Sequence, residues 1–271
     1  MRTAFEQFSR CVALSREHGF GRIEVANRSL VGAGRLYLCE ARQAREDGDA
    51  AARAAALVGQ PRAELMGNII GAFACCELGD HAAMAGYSEH VMRLARQLGA
   101  RRFEAQDMEM RARMLLDAGR PAEAAEMLRE ALAICRETGA QFTGPKVVGA
   151  FNRAVTDPAE RTALLREGRE MLARGAVGHN HLWFHRDAIE ALLAAGDAAG
   201  APEHVAALED YTRTEPLPWS DLFATRGRTL AGVAQRTADH GMREELVRIR
   251  AALADVGLKP FLPTVDAALA T

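Results

Sequence analysis

Across residues 121–139, PAEAAEMLREALAICRETG, apolar side chains return every three or four positions. Ala124, Leu128, Ala131 and Cys135 fall on one stripe of an α-helix, widened by Ala125 and Leu132. Glu123, Glu126, Arg129 and Glu130 occupy the opposite side, and Gly139 follows as a C-terminal cap. The same pattern returns in residues 68–100, 107–140 and 181–212, each reading as helix, Gly-Asp or Gly-Arg turn, helix. The turn glycines are Gly79, Gly119 and Gly196. The first two are 40 residues apart and the next interval is 77, close to two such periods. The intervening turn is expected at Thr156-Asp157-Pro158, a capping residue followed by proline at the first helical position. No stretch alternates apolar and polar residues, so the pattern predicts helices and no strands.

Toward the N-terminus, Ala4, Phe5, Phe8, Cys11, Val12 and Ser15 form one stripe. This reads as the second helix of a repeat that lacks its first: the chain is part of a longer array, or this helix serves as a cap. A pair follows at 23–38 and 42–58, the second helix weakened by Asp47 and interior Gly48. Near the C-terminus, Pro216 and Pro218 hold a linker extended, and Ser220 or Asp221 is expected to cap the next helix. Its partner presents Leu246, Ile249, Leu253 and Val256 on one face and ends at Gly257. The remaining KPFLPTVDAALAT is expected to dock on the end of the stack. The fold class is therefore all-α: an α-α superhelix of about six to seven antiparallel helix pairs, as one repeat domain over residues 1–271.

Residues 118–132, AGRPAEAAEMLREAL, resemble the tetratricopeptide repeat through Gly119, Ala124, Leu128 and Ala131. The family's aromatic positions are mostly Leu or Met here, and the period is longer than its usual one. HNHLWFHRDAIEALLAAGD and LEDYTRTEPLPWSDLFATRGRTLA, within residues 178–234, resemble the C-terminal helical regions of large bacterial signalling proteins. Those proteins carry an adenylate/guanylate cyclase domain and then an ATPase domain. The resemblance implies a regulatory or scaffolding segment, and no cyclase or ATPase residues are present in this chain.

A net charge of -2, with arginines scattered among acids, argues against a nucleic-acid partner. No apolar run approaches the ~18 residues that suggest a membrane span. The five cysteines (Cys11, Cys39, Cys75, Cys76, Cys135) sit in apolar helical patterns without C-x-x-C spacing, as reduced thiols of a cytoplasmic protein do.

Candidate chemistry is sparse. His181 and His185 share a helix face, a spacing that suits zinc, but Leu182 stands where a metalloprotease needs its glutamate, and spacing marks no third ligand. GAQFTGPK, ending at Lys146, departs from a phosphate loop in its proline, its lysine position and the lack of a following Ser or Thr. GAGRLY places Tyr37 where a dinucleotide loop needs glycine. No cofactor is expected. One polar set stands out: Arg186, Asp187, Glu215, Trp219, Asp221, Arg226 and Arg228. It reads either as ion pairs between helices or as a concave pocket whose arginines receive an acidic partner segment. The function expected is a non-catalytic protein-interaction or sensing scaffold, working along an open concave side. The alternative is a metal- or small-molecule-dependent enzyme built on His181 and His185. Phe5 and Phe8 are candidates for self-association through the N-terminal helix.

Overall fold

The computed structural model describes residues 1–235 and 240–270. Among these residues there are fourteen α-helices and no strand, as the periodicity predicts. In chain order they are α1 (Arg2–Glu17), α2 (Gly21–Tyr37), α3 (Ala41–Leu57), α4 (Pro61–Leu78), α5 (His81–Gln97), α6 (Arg101–Asp117) and α7 (Pro121–Thr138). Then come α8 (Gly144–Ala154), α9 (Pro158–Ala173), α10 (His179–Ala194), α11 (Ala201–Thr212), α12 (Pro218–Ala234), α13 (His240–Val256), a single 3₁₀ turn at Lys259–Phe261, and α14 (Leu262–Ala270). Six pairs, from α2–α3 to α12–α13, are thus flanked by a leading and a closing helix.

The punctuation is more regular than the turn glycines alone suggest. Left-handed residues recur every 20 positions at Gly19, Cys39, Gly59, Gly79, Gly99, Gly119 and Gly139. The residue after each of Gly19, Gly59, Gly79 and Gly99 closes the helix by donating its N–H to a carbonyl five positions back, as Phe20 does to Ser15 at 2.7 Å. Helix-to-helix turns within and between pairs are therefore the same device. The expected break at 156–158 is present: Asp157 accepts from the Ala159 N–H at 3.0 Å, and Pro158 opens α9.

The helices form two layers. The even-numbered helices touch one another in sequence from α2 to α12, and α12 returns to touch α2. The odd-numbered helices pack on the outside of this ring, each against the flanking even ones. Burial follows the layers. Ten of the eleven α8 residues are buried, whereas α1 buries only Val12 and Ser15. The first-helix faces therefore do not line an open concave surface. The curvature is tight enough for their side chains to fill the middle.

Gly48 is a contact rather than a weakness in α3. A Cβ built there lies 2.8 Å from the Gly67 carbonyl oxygen and 2.9 Å from the Gly71 nitrogen of α4, so the two backbones meet through glycines. Gly48→Ala is expected to cost about 1–3 kcal/mol by overpacking, since backbone cannot swing aside. Gly86→Ala, whose added methyl meets nothing within 4 Å, serves as the control, and urea denaturation compares the two. Two C-terminal expectations are corrected. α12 begins at Pro218, with Leu217 at its cap position, and the Ser220 hydroxyl instead donates to Leu217 O and Thr212 Oγ1. The closing segment packs across the ring as well as on α13: the 3₁₀ turn touches α4, and Pro260 lies over Gly79.

Candidate functional site

Every inner helix sends a side chain into the centre. Tyr37 comes from α2, Phe73 and Glu77 from α4, Glu109 and Arg113 from α6, and Lys146 from α8. Trp183, Arg186 and Asp187 come from α10, Trp219 and Phe223 from α12. Three buried carboxylates, Glu77, Glu109 and Asp187, meet three buried cations, Arg113, Lys146 and Arg186. Arg113 forks onto Asp187 at 2.9 and 2.6 Å and donates its Nε–H to Glu109. Lys146 Nζ lies 3.0 Å from Glu109 Oε2. Arg186 donates to Glu77 at 2.7 Å and to Asp187 at 3.2 Å. The Trp219 indole N–H takes the second Glu77 oxygen at 3.0 Å, and that of Trp183 donates to the Tyr37 hydroxyl at 3.0 Å.

The aromatic rings insulate this network and also contact its charges. Lys146 Nζ sits 3.3 Å from the centre of the Phe73 ring, and the Arg186 guanidinium 4.3 Å from that of Trp183, where the ring quadrupole favours a cation. Burial alone would raise the Asp187 carboxyl, but Arg113 and Arg186 outweigh it and hold this group well below the usual carboxylate range. Burial lowers Lys146 to about 8 although Glu109 opposes the shift. The centre is thus charge-balanced and closed. It can lock the ring, but its acids and bases have no open face for a substrate.

The polar set singled out in the sequence is divided among several places. Arg186, Asp187 and Trp219 belong to the buried network. Arg226, also fully buried, bridges α10 and α14 by donating to Glu190 and, at 2.9 Å, to Thr264. Glu215 lies at the seam between the chain's first helix and the α11–α12 connection, where it accepts from the Met1 amine and, at 2.7 Å, from the Thr3 N–H. Arg228 pairs with Glu209 at the surface, and Asp221 is exposed in the first turn of α12. Glu77, Glu109, Arg113 and Lys146 complete the network, and each was missed as a site residue. The available signal is a lone charge inside an apolar run, as in FACCELG and PKVVGAF.

His181 and His185 do not act together. His181 stacks on Tyr211, with ring centres 4.2 Å apart, and His185 Nδ1 lies 3.0 Å from Nδ1 of His204 on α11. Burial lowers His185 to about 3 and His204 to about 4, so both rings are neutral, one donating and the other accepting. Among the described residues no three His, Cys, Asp or Glu side chains gather to hold a metal. On α1, half-buried Phe5 packs on Gly34 and under the Arg35 guanidinium, and Phe8 is also half-buried. At this end of the stack Leu14, Phe20 and Ile23 are the exposed apolar residues.

An open groove lies outside the ring. α5 and α7 stand apart over α6, leaving a groove of about 1460 Å³. Met92 from α5, Met108, Met114 and Leu115 from α6, and Met127 from α7 line it and are half-buried. α6 therefore has two working sides: Met108 and Met114 toward the groove, Glu109 and Arg113 toward the central network. No protein-family model matches the chain, and no curated protein is similar to it. No helix among the described residues is long and apolar enough to cross a membrane.

Proposed function

We propose that the chain is a non-catalytic protein-interaction and sensing module, the helical-repeat part of a cytoplasmic bacterial signalling assembly. The observation that carries this reading is the contrast between a centre closed by paired charges and a groove with a methionine floor left open on the outer layer. The link to signalling rests on the resemblance of residues 178–234 to repeat regions attached to cyclase and ATPase domains. A partner seated between α5 and α7 presses on α6, whose other side carries Glu109 and Arg113, so occupancy is coupled to the lock of the ring.

A photo-crosslinking residue placed at Ala85, in the groove, is expected to capture a protein partner in cells, and Met127→Glu is expected to abolish that capture. The same residue at Arg166, exposed on α9, is expected to capture none. Equal capture at the two positions would defeat the proposal. The alternative, an enzyme using His181 and His185, requires a ligand that these two side chains do not gather between them. Metal analysis of the purified protein checks it, with no stoichiometric metal expected.

A further inference from the structure

We infer that the groove between α5 and α7 receives a cationic amphipathic helix, its apolar face on the methionine floor and its basic side chains toward the acidic α7 wall. The inference deepens the scaffold reading and rests on it. Volume comes first. A helix about 10 Å across rising 1.5 Å per residue fills 1460 Å³ with roughly twelve residues, a little over three turns. The floor suits such an occupant. Methionine is unbranched and polarizable, so it moulds to varied apolar faces, and these side chains remain partly exposed along the groove.

Charge decides what kind of helix. Among the described residues, the lining carboxylates Glu89, Glu104, Glu126 and Glu130 have no ion-pair partner in the chain, and Glu123 pairs with Arg120. Of the other lining arginines, Arg93 is engaged by Glu64 of α4, which leaves Arg96 and Arg111. The free charge of the groove is therefore acidic, and Glu126 and Glu130 lie one turn apart on the α7 wall. A second, independent feature lies beneath the floor. Asp107 is fully buried and accepts the Ser88 hydroxyl on one oxygen at 2.8 Å, while its other oxygen has no hydrogen-bond partner. Ser88 itself lines the groove. Burial raises the Asp107 carboxyl to about 6 although the Ser88 hydroxyl and the charge of Arg111 both oppose the shift, so the cation already nearby stabilises this acid only in part. An incoming ammonium or guanidinium above Ser88 adds a second cation. An acidic helix would instead meet four unpaired carboxylates against two arginines, Arg96 and Arg111.

Three labelled 18-residue peptides test the inference by fluorescence anisotropy against the full chain. Two share a leucine stripe at helical spacing and differ in carrying lysine or glutamate at every other position. The third scrambles the lysine peptide so that no apolar face forms. The lysine helix is expected to bind at least tenfold more tightly than the other two. Glu126→Lys with Glu130→Lys, both exposed and so compatible with folding, is expected to weaken the lysine helix at least tenfold and to strengthen the glutamate helix. Asp107→Asn is expected to weaken it several-fold. Equal binding of lysine and glutamate helices, equal binding of the scrambled peptide, or indifference to charge reversal would each overturn the inference. So would adsorption to phosphatidylglycerol vesicles that Met127→Glu abolishes, because the groove would then serve a lipid surface. If no peptide binds while the Ala85 crosslink still captures a protein, the cationic helix is wrong and the scaffold reading stands. If the lysine helix binds and the crosslink captures nothing, the groove chemistry stands and the scaffold reading falls.

Discussion

Asp187→Ala is expected to destabilise the protein by about 3–5 kcal/mol, the usual cost of removing one partner from a buried ion pair. The size follows from what remains. Arg113 loses both arms of its fork, Arg186 loses its second anion, and water has no access to either cation. Two carboxylates then face three cations in the centre. Asp187→Asn keeps the shape and loses the charge, so it is expected to cost nearly as much. A double-mutant cycle with Arg113→Ala isolates the pair, with about 2 kcal/mol or more of coupling expected, because removing both leaves less uncompensated charge than removing either. Urea denaturation at neutral pH reads the wild type and all four variants. A cost below about 1 kcal/mol for Asp187→Ala would mean that the network does not hold the ring. The carboxyl is depressed in the folded state, so its contribution is present above the unfolded value near 3.8 and is lost as pH falls further.

The second large effect concerns the histidine pair. His185 and His204 are neutral when folded and titrate near 6.5 when unfolded, so the unfolded chain binds more protons as pH falls below that value. Their stabilisation is complete above pH 6.5 and is lost on the way down to about 4 and 3. At about 1.4 kcal/mol per pH unit per group, the pair loses on the order of 4 kcal/mol by pH 5. Asp107 works in the opposite sense. Its folded value is raised, so it gains roughly 1 kcal/mol over the same interval, while burial also lowers His179 to about 3 and adds a loss of about 2 kcal/mol, so these four groups together lose about 4–5 kcal/mol from pH 7 to pH 5. Glu203 opposes the His204 shift, and Arg169 reinforces both. Denaturation midpoints at the two pH values are expected to lie much closer together in His185→Gln/His204→Gln, where only the opposed contributions of His179 and Asp107 remain. An unchanged pH dependence in that variant would assign the acid sensitivity elsewhere.

Local order was legible and long-range closure was not. Helix ends sit where the turn glycines place them, because a left-handed residue is a local requirement that sequence displays directly. Cys39 holds the same conformation without the glycine that would advertise it, at φ 62°, and the 20-residue rhythm was therefore visible only in part. Gly48 reads as a helix weakener when its helix is considered alone. It becomes a contact once Gly67 and Gly71 stand opposite. The ring closes through Trp183 on Tyr37 and Trp219 on Glu77, pairs separated by 146 and 142 residues that no periodicity marks. For the same reason Arg186 and Asp187 were noticed as a polar pair while their partners Glu77 and Arg113 were not. The groove escaped notice because methionines at helical spacing look like core, and only the separation of α5 from α7 leaves them half-covered.

The chain's only tryptophans, Trp183 and Trp219, both belong to the inner wall and are at most 2% exposed, so their fluorescence reports on the centre alone. Acrylamide quenching of the native protein is expected to be several-fold weaker than that of the urea-unfolded chain. Quenching as strong as in the unfolded chain would show an open concave channel and contradict the closed ring on which the assignment of function to the outer groove depends.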